Sequence, residues 1–159
     1  MVSDQTVPNI TFIKTAKVIF DEYWFITTEY SEGLEKDGSF NIAKSKSNWI
    51  IDTCDIADKS KKIIVVEDDL IGIQAKIQAE VSENENHSFV LNMTGGTKMM
   101  SLGAFLFFQP RTEEIYYKPI GKNHFKKINS NEEKEEIPLT IKDYLSGYGI
   151  LYPTIFLRQ

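Results

Sequence analysis

The chain has 159 residues, 42% of them hydrophobic, and a formal net charge of −5 from 18 Lys and Arg against 23 Asp and Glu. This length and composition suit one domain with its own hydrophobic core and exclude general disorder. The acidity and the scarcity of arginine (Arg111 and Arg158) argue against binding duplex nucleic acid, which rests on arrays of basic side chains. The most apolar stretch, residues 99–108, is about half the roughly 20 residues of a membrane-spanning helix.

The single cysteine, Cys54, cannot form a disulfide within the chain or build a cysteine-rich metal site. No basic segment followed by an apolar run opens the sequence, so no secretion signal is predicted. Both features favour the cytoplasm. We expect one domain over residues 1–159, without a membrane span, a metal or a cofactor. Any anion it binds must be held by backbone amides, a helix terminus and one or two lysines.

Strand-like runs alternate with helical periods, which predicts an α/β fold with a mainly parallel sheet flanked by helices. Residues 1–3 form the stub of a first strand, and a helix follows with Thr6 as its N-cap and Pro8 as its first residue. Residues 23–27 read as a second strand, apolar on both faces. A long helix comes next. Its buried stripe consists of Ala43, Ser47, Ile50, Cys54 and Ala57.

Residues 63–66 form a third strand, and the spacing of apolar residues from Leu70 to Val81 predicts another helix. Residues 88–92 form a fourth strand. The helix at 97–109 is apolar nearly all round, so we expect it to be buried against the sheet and against a second copy of itself.

The last third of the chain changes character. Residues 114–118 and 124–128 flank a five-residue loop and predict a β-hairpin, and residues 129–136 form a charged, solvated loop. Thr140 and Asp143 predict a capping box that opens a short helix, which ends near Gly147 or Gly149.

One segment combines the features of an anion site. It lies between the fourth strand and the buried helix and reads Asn92-Met93-Thr94-Gly95-Gly96-Thr97-Lys98. The adjacent glycines leave backbone amides uncovered beside a helix N-terminus, with the Lys98 ammonium nearby. A simple turn with Thr97 as the N-cap explains the same residues equally well, and the spacing is not that of a Walker A loop.

Two further polar loops follow predicted strands. Ser3, Asp4, Gln5 and Thr6 follow the first strand, and Thr27 and Thr28 end the second. In doubly wound, Rossmann-like sheets, ligands bind beyond the carboxyl ends of the strands. Ordinary capping explains each loop alone, whereas the convergence of three loops favours a binding site.

At these residues the chain resembles CRISPR-associated Rossmann-fold (CARF) domains, most closely those fused to nucleases or adenosine deaminases in type III CRISPR defence. The resemblance is carried by three segments: Ser3-Asp4-Gln5-Thr6-Val7-Pro8-Asn9, Phe25-Ile26-Thr27-Thr28 and Asn92-Met93-Thr94-Gly95-Gly96-Thr97-Lys98-Met99-Met100. It extends from residue 1 to about Tyr152.

The resemblance implies a homodimer that binds a cyclic oligoadenylate, with cyclic tetra-adenylate favoured, and thereby controls an effector domain. It places phosphate and ribose contacts on residues 92–98, and adenine and further ribose contacts on residues 3–6 and 27–28. The chain departs from the family at both ends. Only Met1 and Val2 precede the first loop, so residues are missing upstream or the first strand is short. No effector domain follows, as expected of an excised sensory domain.

Two alternatives stay open. One is a ring nuclease, in which a ribose 2′-OH attacks the neighbouring phosphate and Lys98 stabilises the developing charge. No general base is evident beside the loop, so binding alone ranks higher. Another is a generic nucleotide-binding Rossmann domain, although residues 3–9 lack its glycines. The only sign of a restriction-type nuclease is the E-x-K of residues 132–134, which we expect in a polar, solvated loop. A zinc site is not predicted either, because His87 and His124 each lack a second ligand at a suitable spacing.

Overall fold

The structure is a computed structural model that describes residues 1–16, 19–81 and 87–150. These residues contain five α-helices and six strands in α/β alternation, which confirms the α/β class. The helices are α1 (Val7–Thr15), α2 (Lys46–Cys54), α3 (Leu70–Val81), α4 (Lys98–Phe108) and α5 (Ile141–Ser146). The strands are β1 (Tyr23–Thr27), β2 (Ser60–Ile64), β3 (Leu91–Asn92), β4 (Ile115–Tyr117), β5 (His124–Lys127) and β6 (Glu133–Glu135). Two short 3₁₀ turns, Ile42–Lys44 and Ala57–Lys59, flank α2.

The strands form two sheets within the described residues. In the first, β1 pairs in parallel with β2, from Tyr23 opposite Ser60 to Thr27 opposite Ile64. The second has the order β3-β4-β5-β6, with β3 and β4 parallel and the later pairs antiparallel. The parallel pairs carry the Rossmann-like part of the fold, and β4 with β5 is the predicted C-terminal hairpin.

Helices cover both faces of β1 and β2. Phe25 packs with Ile10 of α1 and Ile50 of α2 in one apolar cluster. The next residue, Ile26, belongs to a larger cluster built with α3 and α4. Successive side chains of a strand point to opposite faces, so β1 lies in the middle of a helix–sheet–helix sandwich.

The predicted long helix over residues 43–57 is wrong at both ends. Ser45 is extended, and its hydroxyl accepts a hydrogen bond from the amide of Asn48, so α2 begins after it. Asp55 adopts a left-handed conformation (φ 54°) and ends the helix. Ala43 and Ala57 therefore lie outside α2 and are exposed.

Cys54 remains a half-buried residue packed against the α1–α2 cluster, as the sequence predicted. Burial raises the pKa of its thiol to about 11. The thiol is therefore protonated at neutral pH and is a poor nucleophile.

Three smaller expectations are also corrected. Pro8 is the second residue of α1 rather than the first. Residues 133–135, expected in a solvated loop, form β6, because their backbone pairs with the free edge of β5. Residues 1–3, expected as the stub of a first strand, form no strand. Leu102 and Leu106 of α4 are each 43% exposed in the single chain.

Candidate ligand-binding site

The polar loops that the sequence singled out are linked by contacts at one edge of the fold. The amide of Val65 donates to the carbonyl of Thr27, and the hydroxyl of Thr97 donates to the carbonyl of Glu67. The loops after β1, β2 and β3 are therefore neighbours. This edge lies at the carboxyl ends of the parallel strands, where ligands bind in doubly wound sheets.

The loop between β3 and α4, residues 93–97, turns on its two glycines. Gly95 and Gly96 have φ values of +96° and +72°, which side chains other than glycine rarely tolerate. A Cβ at Gly95 would lie 3.0 Å from the carbonyl oxygen of Met1 and 3.6 Å from the hydroxyl of Ser3. The glycine loop and the N-terminal loop therefore touch, and the absence of a side chain at Gly95 permits the contact.

This loop keeps unused hydrogen-bond donors. Within the described residues, no hydrogen bond has the amide of Gly95, Gly96 or Thr97 as its donor. Lys98 is exposed at the first position of α4, and its ammonium forms no ion pair with any described residue. Free amides at the start of an 11-residue helix, with one cation beside them, can hold an anionic group.

The other polar side chains of the loop hold its shape. Asn92 accepts a hydrogen bond from the amide of Thr94 (3.0 Å) and donates one to the amide oxygen of Asn9 (3.0 Å). Asn9 in turn donates to the carbonyl of Met1 (2.9 Å). The hydroxyl of Thr94 accepts from the amide of Lys118 (2.8 Å), which ties the loop to the end of β4.

Two remaining predicted residues of this loop also have structural roles. Met93 is half-buried against the main apolar cluster. Thr97 caps α4, because its hydroxyl accepts a hydrogen bond from the amide of Met100 (3.2 Å). The capping interpretation of Thr97 is thus confirmed, and it is compatible with an anion at the neighbouring amides.

The N-terminal loop divides into exposed and buried residues. Asp4 and Gln5 are exposed, and Ser3 lies beside the glycine loop. Thr6 occupies the N-cap position of α1 without capping it. It is fully buried, and its hydroxyl donates to the carbonyl of Gly147 after α5.

Thr27 and Thr28 are buried with their hydroxyls bonded inside the protein. The hydroxyl of Thr27 donates to the carboxylate of Glu32 (2.7 Å). The hydroxyl of Thr28 accepts from the amide of Ser31 (3.1 Å) and bonds to the hydroxyl of that residue. These two residues shape the loop after β1, and in this structure their hydroxyls are already engaged.

Glu32, which the sequence analysis missed, is the centre of a buried charged cluster, the Glu32 cluster. The hydroxyls of Ser45 and Ser47 donate to its carboxylate at 2.6 Å, as does the ammonium of Lys62. Lys62 also donates to the side-chain oxygen of Asn48 (2.7 Å). Burial alone raises the pKa of Glu32, but the Lys62 ammonium and the hydroxyl donors outweigh it and lower that pKa.

No local pattern reveals this cluster, because it joins the end of β1, the start of α2 and the middle of β2. The Glu32 cluster fixes the loop after β1 against the start of α2. The amide of Lys46 adds to this by donating to the carbonyl of Ser31 (2.8 Å).

A small cleft of about 120 Å³ lies next to the N-terminal loop, at the same edge of the fold. It is lined by Asp4, the exposed ring of Tyr30, and Lys46, whose ammonium lies 3.9 Å from the Asp4 carboxylate. A larger cavity, of about 410 Å³, lies elsewhere among the described residues, between the two sheets. The chemistry of an anion site and this larger empty volume are therefore in different places.

Asp69, His124 and the E-x-K motif have other roles in the structure. Asp69 accepts a hydrogen bond from the amide of Gly72 at the start of α3, as a helix cap does. His124 lies 3.5 Å from Glu133, and Lys134 of the E-x-K motif lies 5.0 Å from the ring of Tyr116. In the described part of the chain, His, Cys, Asp and Glu side chains form no group of three suited to a metal.

A glycine turn at the carboxyl edge of parallel strands, next to a helix N-terminus, defines a Rossmann-like ligand-binding domain. The chain belongs to the Card1 CARF domain family, whose family model matches residues 1–144. The resemblance found in the sequence is thereby confirmed. No curated protein matches the chain.

Several solved structures share the fold, among them the following two. Can2 from Sulfobacillus thermosulfidooxidans, in complex with cyclic tetra-adenylate, superposes with a TM-score of 0.69 at 21% identity over 92% of this chain. The protein VC1899 from Vibrio cholerae superposes with a TM-score of 0.72 at 14% identity, also over 92%. The chain spans 39% and 37% of those two chains. Among the described residues, no helix is long and apolar enough to cross a bilayer.

Proposed function

We propose that two copies of this chain bind one cyclic oligoadenylate, with cyclic tetra-adenylate as the preferred ring. The observation that carries the proposal is a set of donors without a partner among the described residues: the amides of Gly95, Gly96 and Thr97 and, beside them, the ammonium of Lys98. Membership of the CARF family supports it, as does the fold shared with Can2, which is bound to cyclic tetra-adenylate.

In this proposal, two groups of residues meet the ligand. The amides of the glycine loop and Lys98 hold phosphates, because donors at a helix N-terminus favour anions. Ser3, Asp4 and Gln5, which are accessible next to the loop, meet ribose and adenine. Asn92, Thr94, Thr27 and Thr28 keep these groups in place through the hydrogen bonds described above.

The proposed dimer follows from the symmetry of the ligand and from α4. A ring of four adenylates has two-fold symmetry, so an isologous dimer presents each loop to it twice. Leu102 and Leu106 lie one turn apart on α4 and leave an apolar stripe exposed in the single chain. A second copy would cover this stripe.

The stripe provides a test of the dimer. Leu106→Glu places a charge in the middle of the proposed interface, so sedimentation should show a monomer where the parent chain shows a dimer. Ile120→Glu is the matched control, because Ile120 is fully exposed at the tip of the hairpin and should leave the dimer intact. Equal sedimentation of both variants and the parent would refute this interface.

Ligand binding in the longer protein is proposed to control an effector, a nuclease or a deaminase. The ring favours a closed arrangement of loops and subunits over an open one and shifts their populations. The chain acts as a binding module in this scheme, and the ring leaves unchanged. Chromatography of the ring after incubation tests this, since linear di-adenylate would identify a ring nuclease instead.

Calorimetric titration with rings of three, four and six adenylates tests the function itself. We expect one ring of four to bind per dimer, more tightly than the other rings. Lys98→Ala should lower the affinity at least about tenfold, because a hydrogen bond to a charged group contributes about 1.5–3 kcal/mol. Lys59→Ala is the matched control, since Lys59 is an exposed lysine just before β2, at the opposite end of that strand. No binding of any ring, or equal loss in both variants, would contradict the proposal.

A further inference from the structure

The segment that follows β6 runs back along α1 to the candidate ligand-binding site. The amide of Ile137 donates to the hydroxyl of Thr15 at the end of α1 (3.0 Å). Farther along the chain, the carbonyl of Gly147 accepts from the hydroxyl of Thr6, just before the start of α1. This segment contains α5, so α5 lies along α1 and its C-terminal end meets the loop of residues 3–6.

The contact between Thr6 and Gly147 is close and lies inside the protein. Both residues are buried, and no other described group donates a hydrogen bond to the Gly147 carbonyl. A Cβ at Gly147 would lie 2.6 Å from Cδ1 of Ile10, so the backbone after α5 packs directly on α1. Because a buried carbonyl without a donor is costly, the Thr6 hydroxyl holds this end of α5 in place.

α5 depends on such contacts with the rest of the domain. It has six residues, none of them buried, and an isolated helix shorter than about 12–15 residues is marginal in water. Besides the Thr6 bond, an ion pair between Lys14 and Asp143 (2.9 Å) holds α5 to α1. We therefore expect α5 to exist in two states, docked on α1 or locally open.

The loop before Thr6 is held less firmly than Thr6 itself. Asp4 and Gln5 are exposed. The amide of Gln5 lies 3.4 Å from the hydroxyl of Ser3, and the carboxylate of Asp4 lies 3.9 Å from the ammonium of Lys46, so both contacts are long. A ligand on these residues would restrict the loop, and with it Thr6, which is the next residue in the chain.

We propose that docking of α5 is coupled to ligand binding, and that Thr6 is the positioning residue that couples them. The inference rests on the proposed function, because the ligand is the cyclic oligoadenylate proposed above. A ring that orders residues 3–5 lowers the entropy cost of holding Thr6 where its hydroxyl reaches Gly147. Binding therefore favours the docked state of α5.

The coupling carries the effect of the bound ring away from its site. Among the described residues, α5 is the last helix or strand, and the chain beyond residue 150 continues from it. Docking of α5 fixes the point from which that part of the chain leaves the domain. Because coupling between two sites is reciprocal, opening α5 must also weaken ring binding.

Amide hydrogen exchange of the 159-residue chain, with and without cyclic tetra-adenylate, tests the forward direction. The amides of Gly147 and Ile150 both bond to carbonyls of α5. Their exchange should slow at least about fivefold when the ring is bound. The amide of Glu136, which bonds to Asn123 beside the hairpin, is the internal control and should change much less.

A pair of threonine variants tests the coupling residue. Thr6→Val removes the hydroxyl with little change of shape, so exchange at Gly147 and Ile150 should quicken about fivefold, and the ring should slow it less than in the parent. Thr11→Val is the matched control. Thr11 is also buried beside α5, but its hydroxyl bonds to the carbonyl of Val7 within α1 (2.9 Å), so exchange in α5 should not change.

Two proline variants test the reverse direction without changing the charge. Tyr144→Pro removes the amide that donates to the carbonyl of Thr140, so α5 should stay open and the affinity for the ring should fall at least about fivefold. Ile141→Pro is the matched control, because Ile141 is exposed at the first position of α5, where a helix tolerates proline. It should leave the affinity unchanged.

Calorimetry separates failure of this inference from failure of the proposed function. No binding of the ring to the parent chain would overturn the proposed function, and this inference with it. Binding that leaves exchange at Gly147 and Ile150 unchanged would overturn the coupling alone. Equal affinity in Tyr144→Pro and Ile141→Pro would also overturn it, and this arm decides even if Thr6→Val does not fold.

Discussion

Two polar regions lie side by side at the carboxyl edge of the parallel strands, and they differ in what their hydrogen-bonding groups contact. In the glycine loop, the amides of Gly95 and Gly96 have no acceptor among the described residues, and the charge of Lys98 is exposed. In the Glu32 cluster, the carboxylate meets three hydroxyls and one ammonium, all inside the protein.

This difference indicates which residues bind the ligand and which hold the loops in position. A loop with spare donors gains hydrogen bonds when an anion arrives, whereas a saturated cluster has nothing further to offer a ligand. Burying the charge of Glu32 is costly unless it is paired and hydrogen-bonded, so the cluster holds its elements in one arrangement. We therefore infer that Thr27, whose hydroxyl belongs to the cluster, positions the loop after β1 rather than contacting the ligand.

The largest effect should come from breaking the cluster. Glu32→Ala removes the acceptor of three hydroxyls and leaves the Lys62 ammonium partly buried without its partner. Removing one member of a buried ion pair costs about 3–5 kcal/mol, and the lower end applies because Lys62 keeps 30% of its side chain exposed. Urea unfolding followed by circular dichroism measures the loss as a lower midpoint.

A double variant shows whether the unpaired charge causes that loss. Glu32→Ala with Lys62→Met removes both charges and should recover part of the stability, since no ammonium is left without a partner. If the double variant were less stable than Glu32→Ala by the full cost of Lys62→Met alone, the two residues would not be coupled.

A smaller effect on stability, with a larger one on binding, is expected from Gly96→Val. The residue has φ +72°, and a Cβ there would lie 3.1 Å from the Cβ of Met1. The left-handed conformation costs an ordinary residue roughly 1–2 kcal/mol, so unfolding should show a loss of about that size. The new side chain also covers the free amides, so calorimetry with cyclic tetra-adenylate should show strongly weakened binding.

Gly121→Val separates the two consequences. Gly121 has the same φ of +72°, but a Cβ there meets nothing within 4 Å. Its substitution should cost similar stability and leave the affinity for the ring unchanged. Loss of binding in both variants would mean that backbone strain, and not the covered amides, weakens the ligand site.

The difference between local and distant contacts explains which elements the sequence could predict. The strand at residues 23–27 matches β1, and the capping box of Thr140 and Asp143 is present, because each signal lies within a few adjacent residues. The end of α2 at Asp55 was missed, since a left-handed aspartate has no local signal. Strand β6 was missed because Glu133-Lys134-Glu135 has no apolar period and pairs only through the edge of β5.

The candidate site divides in the same way. The glycine loop was visible in the sequence, because its adjacent glycines, the Thr97 cap and Lys98 are consecutive residues between a strand and a helix. The Glu32 cluster was not visible, because its members come from residues 27–62 and meet only after β1, α2 and β2 have packed. A sequence can therefore indicate where free donors lie, whereas the support behind them depends on tertiary contacts.

The smallest effect is expected within the glycine loop itself, at Thr97. Its hydroxyl accepts from the amide of Met100 as the N-cap of α4, and loss of such a cap costs about 1 kcal/mol. Thr97→Ala should therefore lower the unfolding free energy by about that amount, and Thr97→Ser should restore it. Because the cap leaves the amides of Gly95 and Gly96 free, the affinity for cyclic tetra-adenylate should change less in Thr97→Ala than in Lys98→Ala. The opposite result would be a loss of affinity in Thr97→Ala as large as in Lys98→Ala, with the affinity restored in Thr97→Ser. That result would show that the Thr97 hydroxyl contacts the ligand. Supporting and binding residues would then lie side by side within the glycine loop.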